Sequence, residues 1–170
     1  MKTENVRKLK SQILEHQSRL LHLSDEEMQK TLGPGLWLGK EILGHLSDSA
    51  AMNRQRIVRS QYEELYDFPF YDQAQWVQIQ SYHNYAWVDL VSVCISEYQH
   101  LLHILENLPD ESASGKCPIK FSSNDYVTLD WLVGHIYRHN DHHFHQIYWL
   151  VGKSDLPDDR ELYQPIEELP

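Results

Sequence analysis

The 170-residue chain carries 25 acidic and 15 basic residues, a net charge of −10 with histidine neutral. This balance argues against a nucleic-acid-binding protein, because affinity for a phosphate backbone normally comes from a basic face. The length suits one domain that buries roughly 70% of its unfolded surface, so folding alone requires neither a disulfide nor a metal. Cys94 and Cys117 have no paired spacing, which excludes a zinc site of CxxC units and fits a reducing compartment.

The N-terminus shows no charged-then-apolar leader, and the chain has no apolar run of roughly 18 residues. We therefore expect a soluble cytoplasmic protein without a membrane or nucleic-acid partner. Aromatic residues make up 11% of the chain, and most of them are expected to pack in the core and at interfaces.

Apolar residues at helical spacing predict a first helix over about residues 4–22. A capping-box pattern from Ser24 to Glu27 predicts a short additional turn, and the glycines and proline of 33–35 break the chain. A second helix is predicted over 36–59.

The inner face of the second helix is unusually polar, because His45 and Arg56 both fall on its apolar stripe. Buried histidine and arginine are uncommon without partners, so this helix either lines a cavity or buries an ion-pair network. Taken alone, His45 is better explained as an ordinary hydrogen-bonded core histidine than as a metal ligand. A second cluster of histidines elsewhere favours the ligand, because a metal needs ligands from several parts of a fold.

Residues 60–75, which include Tyr66 and the aromatic stretch 68–71, predict a loop that packs by its rings and forms a lid or rim. A long third helix is predicted over 76–107. His83 and Glu97 lie close to the centre of its apolar stripe. His83 is therefore an alternative third ligand or a pocket acid or base, and Glu97 a supporting residue or an ion-pair partner of Arg56.

The Ser-, Pro- and Gly-rich residues 109–124 predict a long connection, with Asn124, Asp125 or Thr128 as the cap of a fourth helix over 126–152. The acidic, proline-containing tail 154–170 is expected to extend over the same domain or a dimer partner. No strand is predicted.

The fourth helix holds five of the chain's eleven histidines within the eleven residues 135–145. Two histidines four apart project from one helix face and can grip one ion. A rotation of about 100° per residue places His139 and His143 in the middle of the apolar stripe, His135 and His142 on its flank, and His145 outward.

Four long helices without a strand signal predict an all-α, four-helix bundle over residues 1–153. Inward side chains from facing helices meet in the core of such a bundle. A histidine of the second or third helix is then within reach of the pair on the fourth.

Two segments resemble the DinB/YfiT superfamily of metal-binding four-helix bundles. One runs from Trp37 to Arg56 and reads WLGKEILGHLSDSAAMNRQR; the other is 137–147, YRHNDHHFHQI. The resemblance spans nearly the whole chain and implies an atypical helix order, frequent dimerisation, and nickel, zinc or a similar divalent ion. It implies three ligands at the positions of His45, His139 and His143. His135 departs from the family pattern, in which an acidic residue is common at that position.

Some relatives use small cellular thiols in transferase or isomerase reactions, and many others are called hydrolases. Fold and metal transfer between relatives more safely than reaction. We therefore expect a homodimeric metal-dependent hydrolase or small-thiol-dependent transferase with zinc or nickel on three histidines, acting on a small molecule such as a low-molecular-weight thiol.

Candidate catalytic residues are His83, Glu97 and His135, and Arg56 and Asn53 are candidates for binding an anionic substrate. One alternative is a non-catalytic stress or interaction protein that a metal stabilises. Another is a hydrogen-bonded histidine core without metal, because neutral imidazoles satisfy one another.

Overall fold

The computed structural model describes residues 1–63, 71–118 and 126–153. Within these ranges the chain forms five α-helices and a two-stranded antiparallel sheet: α1 (Glu4–Leu20), α2 (Gly39–Arg59), α3 (Gln73–Gln80), α4 (Trp87–Asn107), β1 (Lys116–Pro118), β2 (Tyr126–Thr128) and α5 (Leu129–Trp149). The predicted lid residues 64–70, the connection 119–125 and the acidic tail 154–170 lie outside the described residues.

The four long helices α1, α2, α4 and α5 form a bundle in which two of the three pairs consecutive in sequence, α1 with α2 and α4 with α5, are not the main neighbours in space. α1 packs against α4 and α5, and α2 packs against the same two helices. Consecutive helices α1 and α2 thus occupy opposite corners, as do α4 and α5. The predicted all-α bundle with an atypical helix order is confirmed.

One hydrophobic core runs through the bundle, and each long helix contributes one apolar stripe to it. On α1 the stripe comprises Val6, Leu9, Ile13 and Leu20, at the spacing that the sequence predicted. Thr3 caps this helix by accepting the Val6 N–H at 3.3 Å. Within the described ranges, no helix combines the length and apolarity needed to cross a membrane.

The prediction of one long helix over 76–107 is wrong. The chain ends α3 at Gln80, passes through a left-handed residue at Ser81 (φ 53°), makes a single 3₁₀ turn over Tyr82–Asn84 and only then begins α4. Ile79 lies on the apolar stripe of that predicted helix and would have been buried there, but it is 76% exposed. No proline or glycine marks the break, and a contact with α2 lies at this point.

That contact joins Tyr82 to Gly44. A Cβ atom at Gly44 would overlap the Tyr82 ring, so the ring packs directly on the backbone of α2. The Tyr82 hydroxyl donates to Asp48 Oδ1 at 2.7 Å, and Gln80 Nε2 donates to the same carboxylate at 2.9 and 3.0 Å. Burial raises the pKa of Asp48, and the two hydrogen bonds partly offset that rise. This network anchors the break between α3 and α4 to α2.

The absence of strands was also predicted wrongly. Lys116 pairs with Thr128 and Cys117 with Val127, in a short ladder that closes the long connection. Because 126–128 are paired as a strand, α5 begins at Leu129, three residues later than predicted. Thr128, one of the three predicted candidates, caps α5 by accepting the Trp131 N–H at 3.1 Å.

His16 of α1 is a buried titratable group against α5. Its ring stacks on Phe144 with a centroid separation of 4.1 Å, and its Nδ1 lies 2.8 Å from the Tyr148 hydroxyl. Burial lowers the pKa of His16 to about 4; the carboxylates of Glu15 and Asp141 oppose this shift, and the charges of Arg19 and His145 add to it.

His16→Gln is expected to flatten the pH dependence of stability between about pH 4 and pH 6.5. The folded-state pKa of His16 is below the unfolded value, so in this window only the unfolded chain binds its proton. Wild-type stability therefore falls as pH falls, by about 2 kcal/mol for this group. Urea titrations of both metal-free proteins at several pH values give the slope of the free energy of unfolding against pH. In the variant this slope should correspond to one proton fewer than in wild type. Equal slopes for the two proteins would contradict the lowered pKa of His16.

Candidate metal centre

Three histidines converge where α2 packs against α5. His45 lies in the first half of α2, and His139 and His143 are four residues apart on α5. One nitrogen from each ring can be chosen so that all three atoms lie within 4.8 Å of one another. The ring centroids are 5.1 Å apart for His45 and His139, 4.8 Å for His45 and His143, and 4.6 Å for His139 and His143.

The three side chains differ in burial. His45 is 1% exposed and His143 is 7% exposed, whereas His139 is half-buried. Burial lowers the pKa of His45 to about 4. The pKa values of His139 and His143 are well below the usual range, first because of burial and then because protonation of one ring disfavours protonation of the others. All three imidazoles are therefore neutral at pH 7 and have lone pairs to offer.

The donor set fits a divalent metal ion. The Nε2 atoms of His45 and His139 are 3.1 Å apart. Two imidazole nitrogens bound to one zinc ion at tetrahedral angles are separated by about 3.3 Å. A further ring nitrogen, Nε2 of His143, is buried without a hydrogen-bond partner in the described part of the chain. Buried polar atoms are rarely left unpaired, so a cation in this cluster would satisfy an atom that the protein does not.

The amide of Gln146 links the cluster to a neighbouring histidine. Its Oε1 lies 2.8 Å from Nδ1 of His143, and its Nε2 lies 2.9 Å from Nε2 of His142. The sequence motif included Gln146, but no role was predicted for it. A spacing of three residues from His143, which places both on one helix face, is the signal that could have indicated the contact.

Further rings pack around the cluster. The Trp37 ring packs 5.1 Å from that of His45, a contact that the sequence did not predict. The His135 ring stacks on Trp131 at 5.4 Å and lies 6.3 Å from His139. Burial lowers the pKa of His135, and the charges of Arg138 and Arg56 lower it further.

The remaining predicted site residues have different surroundings. The His83 side chain is 46% exposed and lies 4.0 Å from Glu41, so its expected position on a buried stripe is wrong because that continuous helix does not exist. Glu97 is half-buried and pairs with Arg54 at 3.3 Å; the partner expected from the sequence was Arg56. Arg56 Nη1 donates to Asn53 Oδ1 at 3.0 Å.

The sequence model of the DinB superfamily matches residues 12–147. The match covers most of the chain, and the protein belongs to the DinB superfamily.

A similar solved structure is that of YfiT from Bacillus subtilis, described as a probable metal-dependent hydrolase with an unusual four-helix bundle topology. The two chains superpose with a TM-score of 0.76 at 17% sequence identity, over 88% of this chain and 85% of YfiT. At this identity the similarity establishes the common fold. No curated protein sequence matches the chain.

Proposed function

We propose that the protein is a metal-dependent hydrolase whose His45, His139 and His143 hold a divalent ion. The observation that carries the proposal is the convergence of three neutral imidazoles, of which that of His139 belongs to a half-buried residue. The cluster has three protein ligands among the described residues, and three is the number with which a catalytic zinc site keeps a position open. Imidazole ligands suit zinc and nickel alike.

A bound divalent ion would supply Lewis acidity and would lower the pKa of a bound water or thiol toward neutrality. The description of YfiT as a probable metal-dependent hydrolase supports hydrolysis. The same site would also suit a small-thiol-dependent transfer, because a thiolate is a ligand for such ions and a nucleophile.

We assign two supporting roles to residues near the cluster. His135 is half-buried and neutral beside His139, so it is a suitable proton acceptor for the nucleophile. Asn53 and Arg56 follow His45 on the inner face of α2 and are hydrogen-bonded to each other. The charge of Arg56 lowers the pKa of His135, and we assign this pair to orienting an anionic group of a small-molecule substrate.

The test uses tag-free protein stripped of metal and reloaded with zinc or nickel. Ester and amide hydrolysis and small-thiol conjugation are measured for wild type, His45→Ala and His100→Ala, whose histidine is exposed on α4. We expect metal-dependent hydrolysis that His45→Ala abolishes and His100→Ala leaves intact.

Activity only in the thiol assay would assign the protein to the transferases. Stoichiometric metal binding with no activity in any assay would contradict the enzyme and favour a metal-stabilised structural or interaction protein.

A further inference from the structure

The side chain of Gln146 on α5 contacts two histidines that are adjacent in sequence. It is 9% exposed and stands three residues after His143 and four after His142. The oxygen of its amide faces His143 Nδ1 at 2.8 Å, and the nitrogen faces His142 Nε2 at 2.9 Å. Both contacts have the length of full hydrogen bonds.

The two ends of an amide have opposite hydrogen-bonding roles, and this decides where the protons are. The amide oxygen only accepts, so the partner nitrogen of His143, Nδ1, must carry a hydrogen. The amide nitrogen only donates, so Nε2 of His142 must present a lone pair. In a neutral ring the hydrogen of His142 is then on Nδ1, and Gln146 imposes the Nδ1–H tautomer on both rings.

For His143 this tautomer has a direct consequence at the cluster. With the hydrogen on Nδ1, the lone pair is on Nε2, the buried atom that has no hydrogen-bond partner in the described ranges. A histidine that binds a metal through one ring nitrogen usually donates the N–H of the other nitrogen to an oxygen acceptor. This hydrogen bond fixes the ring orientation and strengthens the ligand.

We propose that Gln146 is a positioning residue, which holds His143 in the tautomer whose Nε2 lone pair is directed at the metal position. Its amide also links the ring of His143 to that of the half-buried His142. The assignment of that position to a metal rests on the proposed function. The tautomers of the two histidines do not rest on the proposed function, because they follow from the amide contacts of the metal-free protein.

The experiment records long-range ¹H–¹⁵N spectra of metal-free, ¹⁵N-labelled protein, in which protonated and unprotonated ring nitrogens are distinguished. In wild type we expect Nδ1–H on both His142 and His143. Gln146→Leu should release both rings from this tautomer. Gln146→Glu should keep His143 as Nδ1–H but convert His142 to Nε2–H, because a carboxylate accepts and cannot donate. The ring of His16, which contacts Tyr148, is the internal control.

Zinc titration supplies the second readout. Gln146→Leu is expected to weaken zinc binding by about 10- to 100-fold, the usual cost of removing a partner of a metal ligand, and Gln146→Glu should stay close to wild type. A wild-type His143 protonated on Nε2, an unchanged His143 tautomer in the leucine variant, or equal zinc affinity of that variant and wild type would each overturn the proposal.

Two further outcomes are also decisive. If Gln146→Leu does not fold, the wild-type spectrum and the different responses of the two histidines in Gln146→Glu still decide the assignment. If wild type binds neither zinc nor nickel, the proposed function fails, while the tautomers in the metal-free protein independently support or refute the role of Gln146.

Discussion

His143→Ala is expected to lower the affinity for zinc or nickel by more than about 100-fold, because even the loss of a residue that only orients a ligand costs 10- to 100-fold. His143 is 7% exposed, and its Nε2 has no hydrogen-bond partner in the described part of the protein. Two remaining imidazoles cannot replace a third at that position. Isothermal titration of metal-free protein and elemental analysis after dialysis measure the effect.

The matched control is His103→Ala, since His103 is exposed on α4 and should leave the metal content at wild-type level. Far-UV circular dichroism of both variants verifies that the bundle remains folded. One tightly held ion per chain in His143→Ala would contradict the ligand assignment. Absence of the ion from wild type itself would favour the hydrogen-bonded histidine core.

Gly44→Ala is expected to destabilise the fold by about 2 kcal/mol, in the range usual for overpacking a well-packed core. A Cβ atom at this position would overlap the Tyr82 ring, and the ring cannot retreat easily because its hydroxyl is hydrogen-bonded to the buried Asp48. Urea denaturation of the metal-free variant and wild type gives the difference in the free energy of unfolding.

Gly33→Ala is the control, because the nearest atom to its Cβ, on Leu36, would be 3.6 Å away, an ordinary contact. Replacing the aromatic ring as well, in Gly44→Ala with Tyr82→Leu, should cost less than the sum of the two single changes, since both act on one contact. Strict additivity, or a Gly44→Ala protein as stable as the control, would show that this packing does not hold the break in place.

The sequence predicted the bundle well where a structural element has a periodic pattern of its own. The stripe of α1, the Thr128 cap and the burial of His45 and His143 all follow from local spacing, and all are present. Such features depend on neighbours within a few residues, so they can be read directly from the chain.

The errors occur where long-range contacts override local pattern. The break at Ser81 lies inside an apparently continuous helical stretch and follows from the packing of Tyr82 on Gly44. The exposure of His83 and the pairing of Glu97 with Arg54 result from that altered helix and from the approach of α2 to α4. The short strands pair residues eight to twelve apart across a long connection, where each strand alone gives too weak a signal.

The sequence by itself determined which side chains of α5 face inward, because the helical repeat fixes their rotation about the helix axis. It also indicated, with the help of family resemblance, that His45 belongs with His139 and His143. Only the tertiary structure decided that the three rings meet, and that Gln146 contacts both His142 and His143. Those relations depend on how α2 and α5 pack against each other, and the local periodicity of either helix contains no information about that packing.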